Sequence, residues 1–150
     1  MLKSILFSFF LLISSHCFSQ YFIDNTDSSK IDEPPIFPQG GNAFVRKLTI
    51  SFRIPESVIK SSFQGDFVIH FTVDTVGITN LDSINFDQMA FHRKIVLPRA
   101  KTQVKEDITK EVLRIFERMP EWVPGISKGI SVPVRYKLPF QILFEEPLKW

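Results

Sequence analysis

The chain has 150 residues, 44% of them hydrophobic and 16 of them Phe, enough for one domain with a real core. Eighteen basic residues stand against 16 acidic ones, a formal charge of +2. That near balance argues against a dedicated nucleic-acid binder, which carries a strong basic excess.

At the N-terminus Lys3 precedes an apolar run from Ile5 to Ile13, and Ser14, Ser15 and Ser19 follow. A charged start, a short apolar run and a small-residue exit form the pattern of a signal peptide, read here as residues 1–19 with Gln20 first after cleavage. The run is shorter than the roughly 20 apolar residues of a transmembrane helix. The expected location is therefore periplasmic or secreted, and the alternative is an uncleaved inner-membrane anchor. A lipidated Cys17 is a second alternative, with His16 a poor residue to precede it. Cleavage would remove Cys17, the only cysteine, and with it any disulfide or thiol chemistry.

Residues 20–33 carry Asp24, Asp27, Asp32 and Glu33 without periodicity and read as a flexible leader. The domain proper is expected over 34–150. Pro34, Pro35 and Pro38 enforce an extended path that ends at Gly40 and Gly41. Asn42 is a candidate N-cap for a helix carrying Ala43, Phe44, Val45 and Leu48, and Thr49 to Phe52 suits a strand as well as a helix end. Pro55 suits the first turn of a second short helix, with Glu56 near its positive end and Val58 and Ile59 turned inward.

Gly65 is expected to end that segment and open a strand, with Phe67, Ile69, Phe71 and Val73 on one face. Asp66, His70, Thr72 and Asp74 fall mostly on the other. Asp74-Thr75-Val76-Gly77 reads as a tight turn. From Ile78 to Phe86 the apolar residues Ile78, Leu81 and Ile84 come every third position, which a bulged strand would accommodate. Residues 87–103 show no clear period, and Pro98 is expected to break any helix there. From Glu106 the stripe Ile108, Val112, Ile115, Phe116 and Met119 is helical, with Glu106 and Asp107 at its start and Arg114 and Arg118 near its end. Pro120 stops it. From Val132 to Phe144 every even position is apolar or aromatic, the mark of a strand with one buried face.

Several blocks of this chain resemble the C-terminal domain of TonB, in the form common in small exported proteins of Bacteroidetes-like bacteria. Phe37-Pro38-Gln39-Gly40-Gly41 before Ala43-Phe44 is similar to the family's FPGG and the helix after it, with Gln39 inserted. Ile54-Pro55-Glu56 is similar to its YP. Gly65 with the strand to Asp74 and Gly77 is similar to its G-x-V-x-V-x-F-x-V-D-x-x-G. Glu111-Val112-Leu113-Arg114, then Met119-Pro120-Glu121-Trp122-Val123-Pro124-Gly125, is similar to its E-A-L-R…MP-x-W-x-PG. Gly129, Val134, Tyr136 and Leu138-Pro139-Phe140 resemble its ending. The resemblance runs from Pro34 to Phe144.

What the resemblance implies is an α+β fold, a three-stranded antiparallel sheet with two main helices packed on one face. TonB joins an inner-membrane motor to outer-membrane transporters and binds their N-terminal box as an added strand beside its own last strand. The implied role here is an exported protein-interaction module, linked to outer-membrane transport. The alternative is a membrane-anchored TonB-type energy transducer, although the long Pro-rich spacer of TonB is missing.

The residues themselves offer little for catalysis. His70 and His92 stand outside any HExxH or similar metal spacing, and Gly40-Gly41 lacks the GK[ST] of a phosphate loop. No enzyme activity, metal or cofactor is expected. Trp122 reads as a corner residue covering the core edge, and the basic run from His92 to Lys105 as a solvated insert. Pro133 and Pro139 share odd parity, so their missing donors are expected to face away from the neighbouring strand, making 131–144 an edge. Val134, Arg135, Tyr136 and Lys137 lie between them. There an acidic extended peptide is expected to pair, with an outer-membrane transporter N-terminus one candidate partner and a homodimer through this strand another; the alternative is that the two prolines serve only to block unwanted pairing and nothing docks there.

Overall fold

The computed structural model describes residues 22–23, 31–91 and 97–144. The expected signal peptide, His16, Cys17, His92 and Lys94 lie outside the described residues. In chain order the elements are β1 (Phe22–Ile23), α1 (Gly41–Ser51), α2 (Glu56–Ser61), β2 (Phe63–Val73), β3 (Thr79–Asn85) and β4 (Met89–Phe91). They continue with α3 (Pro98–Phe116), β5 (Gly125–Ser127), β6 (Ile130–Val132) and β7 (Val134–Ile142).

The fold is α+β, and its three long strands are antiparallel in the order β7-β2-β3. Strand β2 is central because its alternation buries Phe63, Phe67, Ile69, Phe71 and Val73 on one side. It meets β7 in unbroken register from Gly65 opposite Ile142 to Val73 opposite Val134. Its hairpin with β3 slips between His70 and Phe71, which pair with Ser83 and Leu81, so Asp82 is the extra residue of the bulge that the three-residue spacing implied. Two short strands extend the expected three: β4 pairs with the start of β2, and β1 lies outside β7. β5 and β6 form a separate hairpin.

The buried face of the sheet is closed by helices. Phe44 and Leu48 of α1, Val58 of α2, and Val104, Ile108, Val112, Ile115 and Phe116 of α3 share one core with β2 and β7. Phe71 sits at its centre, 5.2 Å from Phe44, 5.6 Å from Phe116 and 5.2 Å from Tyr136 between ring centroids. A polar clasp joins α3 to the end of α1. Arg114 donates to both Glu111 carboxylate oxygens and to the Ser51 carbonyl, and the Arg53 backbone N–H donates to Glu111.

Several expectations are corrected at element boundaries. Asn42 lies inside α1; the N-cap is Gly40, at φ 90° and without a side-chain cap bond. Helix α1 continues through Thr49 to Ser51, so that stretch is helix rather than strand. Ile59 points outward, 55% exposed, while Val58 is buried. Gly65 lies within β2 rather than before it. Pro98 begins α3 instead of breaking it, since a first-turn proline gives up no helical hydrogen bond. Glu106 and Asp107 therefore sit in mid-helix, and the helix-end role expected of them does not apply. The helix ends at Phe116, ahead of Met119 and Pro120.

The leader reading also changes at both ends. Phe22 and Ile23 are paired in the sheet, and the Asp32 and Glu33 amides both donate to the Ile126 carbonyl, at 2.9 and 3.1 Å. Among the described residues no helix is long and apolar enough to cross a membrane.

Candidate peptide-docking edge

Strand β7 presents two different faces. Val134, Tyr136 and Leu138 are buried beneath the helices, whereas Arg135 and Pro139 are exposed and Lys137 is half-buried. Of the four residues expected at the docking window, Val134 and Tyr136 therefore contribute side chains to the core. Tyr136 stacks on Phe71 at an interplanar angle of 17° and lies 5.7 Å from Trp122. The Arg135 and Lys137 side chains lie outside that core.

The main chain carries the rest of the site. Pro139 sits in the β2–β7 ladder opposite Val68, a place open to proline only if its amide position faces away from β2. Parity then turns the main-chain N–H and C=O groups of Arg135 and Lys137 to the outer side. On that side lies β1, antiparallel, with Phe22 opposite Lys137 and Ile23 opposite Tyr136. The strand expected to be a bare edge thus carries a partner within the same chain. Pro133 stands exposed just before β7.

Across the open face of the sheet, Arg135 is the register neighbour of Thr72 and Lys137 of His70. The Arg135 Nε lies 3.9 Å from an Asp82 carboxylate oxygen, and the Thr72 hydroxyl donates to the same oxygen at 2.8 Å. At that distance, with the Arg135 side chain 73% exposed, the pair holds the guanidinium only loosely.

The residues of the family-like motifs gather mostly at the corner beneath β7. Trp122 is 3% exposed and has its ring centroid 5.0 Å from both Phe37 and Phe44. Its indole N–H donates to the Thr79 hydroxyl at 2.9 Å. Trp122 is thus the corner residue anticipated from sequence. Gly77, at φ 89°, packs against the Trp122 backbone. Gly125 opens β5 where a Cβ would stand 2.8 Å from a Val134 methyl and 3.0 Å from Pro35. Pro38, Gly40 and Gly41 lead into α1, joined to the corner through Phe37. Gly65 lies between Met89 and Ile142 in the sheet; Leu138 and Pro139 are in β7; Met119, Pro120 and Pro124 are half-buried connectors.

Several other charged groups have structural partners. The Arg114 hydrogen bonds hold the Glu111 carboxyl below the usual glutamate range, outweighing partial burial, with help from the Arg53 amide. The Ser57 hydroxyl lowers Asp107 in the same way. The Lys101 and Lys105 ammonium groups lie 5.6 and 5.5 Å from the ring centres of Phe91 and Phe86. That part of the basic run is helix rather than an irregular insert, and both lysines are solvent-exposed as expected, with their ammonium groups near aromatic rings. Among the described residues no group of three or more His, Cys, Asp or Glu is placed to hold a metal ion.

Sequence reasoning missed β1, since two residues are too few to show a period. The signal to be found was that Tyr21, Phe22 and Ile23 stand together in an otherwise polar leader. No family model matches the chain, and neither a curated protein nor a solved structure matches it.

Proposed function

We propose that this protein is an exported, non-enzymatic interaction module that captures an extended acidic peptide by strand addition along Arg135–Lys137 of β7. The motif resemblance to the TonB C-terminal domain suggests a partner connected with outer-membrane transport. The observation that carries the reading is β1, a strand laid antiparallel on this edge at Lys137 and Tyr136. An edge that accepts one strand in that register has the geometry for another of the same direction. Arg135 and Lys137 add positive charge beside the outward main-chain groups, which favours an acidic peptide.

The probe is a fluorescein-labelled synthetic peptide with the sequence of residues 20–30, which carries two aspartates beside its β-prone start. Its binding to the full chain is read by fluorescence anisotropy. Arg135→Pro removes an outward donor and a charge, and Arg135→Glu reverses the charge while keeping the amide. Loss of one charge-assisted contact predicts weakening by about tenfold or more for Arg135→Pro, with a smaller loss for Arg135→Glu. Unchanged affinity in both variants, with melting temperatures preserved, overturns docking at this edge.

A further inference from the structure

We infer that Phe22–Ile23 is a built-in competitor of the docking edge, which a partner peptide must displace before it binds. The inference rests on the proposed strand-addition function and adds its regulation. Strand β1 covers Tyr136 and Lys137, and Lys137 is one of the two residues whose outward main-chain groups the parity of Pro139 makes available. The competitor and the proposed ligand therefore require the same donor and acceptor.

Two features suit β1 to reversible occupancy. Its described part is two residues, Phe22–Ile23, so few ladder bonds there must break to release it. It is also tethered nearby: Asp32 and Glu33 are fastened to Ile126, leaving residues 24–31 as the span between anchor and strand. A short tether of this kind holds its end at an effective concentration in the millimolar range. A weak strand can thus cover the edge by proximity alone. Sequence chemistry agrees, because the leader carries Asp24 and Asp27 immediately after the paired residues, and the edge carries Arg135 and Lys137.

A blocked edge weakens the apparent affinity for a free peptide by the fraction of time it is uncovered. Phe22→Pro in the full chain removes the amide expected to face Lys137 and leaves β7 untouched. With the same labelled peptide, this variant should bind at least about threefold more tightly than the wild type, the factor for an edge two-thirds covered. Hydrogen exchange supplies the second measurement: the Lys137 amide should be protected in the wild type and exchange faster in Phe22→Pro.

Equal peptide affinity in the two chains, with Arg135→Pro still weakening both, overturns the built-in competitor and leaves strand addition standing. Absence of peptide binding even in Phe22→Pro overturns strand addition at this edge, and the competitor with it. Protection of Lys137 that rises with protein concentration would assign the covering strand to a second copy and overturn the intramolecular form. Rapid exchange of Lys137 in the wild type at every concentration also overturns it.

Discussion

The Trp122 backbone N–H donates to the Gly77 carbonyl at 2.8 Å, and a Cβ built on Gly77 would stand 2.0 Å from the Trp122 carbonyl oxygen. The turn and the tryptophan corner are therefore fitted backbone to backbone, with no room for a side chain between them. Gly77 is also at φ 89°, where an L-residue is strained. Gly129 separates these two effects: its φ is 75°, yet a Cβ added there would meet nothing within 4 Å. Gly129→Ala should cost about 1–2 kcal/mol, the penalty of left-handed backbone alone. Gly77→Ala should cost clearly more, because backbone must move as well. Thermal melts of the two variants check the ordering, and equal losses would remove the close approach as a cause.

Phe116 packs against Phe44 and Phe71 at 6.3 and 5.6 Å and is 5% exposed. Phe116→Ala removes a ring that three elements share. The expected cost is about 3–5 kcal/mol, a transfer term plus that of the cavity left behind. Calorimetry should show a melting temperature lower by on the order of 10 °C. An unchanged melt would contradict the packing of α3 on the sheet.

Glu111 gives the fold a defined acid response. Its carboxyl is held below the ordinary range by the Arg114 side chain and the Arg53 amide. A carboxyl lowered in the folded state binds fewer protons there than in the unfolded chain. Its contribution is therefore complete above the unfolded-state value, about 4.3 for glutamate, and is lost as pH falls through the lower folded value. Glu111→Gln should reduce stability at neutral pH and flatten the acid limb of the stability profile. Denaturant midpoints measured from pH 7 down to pH 3 check both parts, and parallel wild-type and variant profiles would contradict the linkage.

The sheet was legible where one face is buried and the other wet. In β2 and β7 that contrast writes itself into alternate residues, from Phe67 to Val73 and from Val134 to Leu138. The bulge in β3 was legible because an extra residue, Asp82, shifts Leu81 and Ile84 out of strict alternation. Helix α3 was readable only in its second half. Before Glu106 the lysines dilute the stripe, and Pro98 marks a beginning as readily as an end. Gly40 took the cap from Asn42 because its positive φ turns the chain directly into the helix. The outer edge of β7 was legible in part: Pro139 disclosed which side of the strand faces outward, while the cluster Tyr21, Phe22 and Ile23 gave no sign of where a strand formed there would pair. Pairing between distant segments depends on geometry that no local pattern carries.

The position of β7 in the chain has a consequence for the order in which the protein acquires its structure. Strand β2 finds β3 across a short turn, a contact that costs little loop entropy. Its other neighbour arrives only with residues 134–142, after α3 and the tryptophan corner have been made. Until then one side of the central strand has no ladder, and the core lacks Tyr136 and Leu138. During synthesis the nascent chain therefore remains without its complete sheet until residues 134–142 are available. The core therefore cannot close before residue 142 has been made.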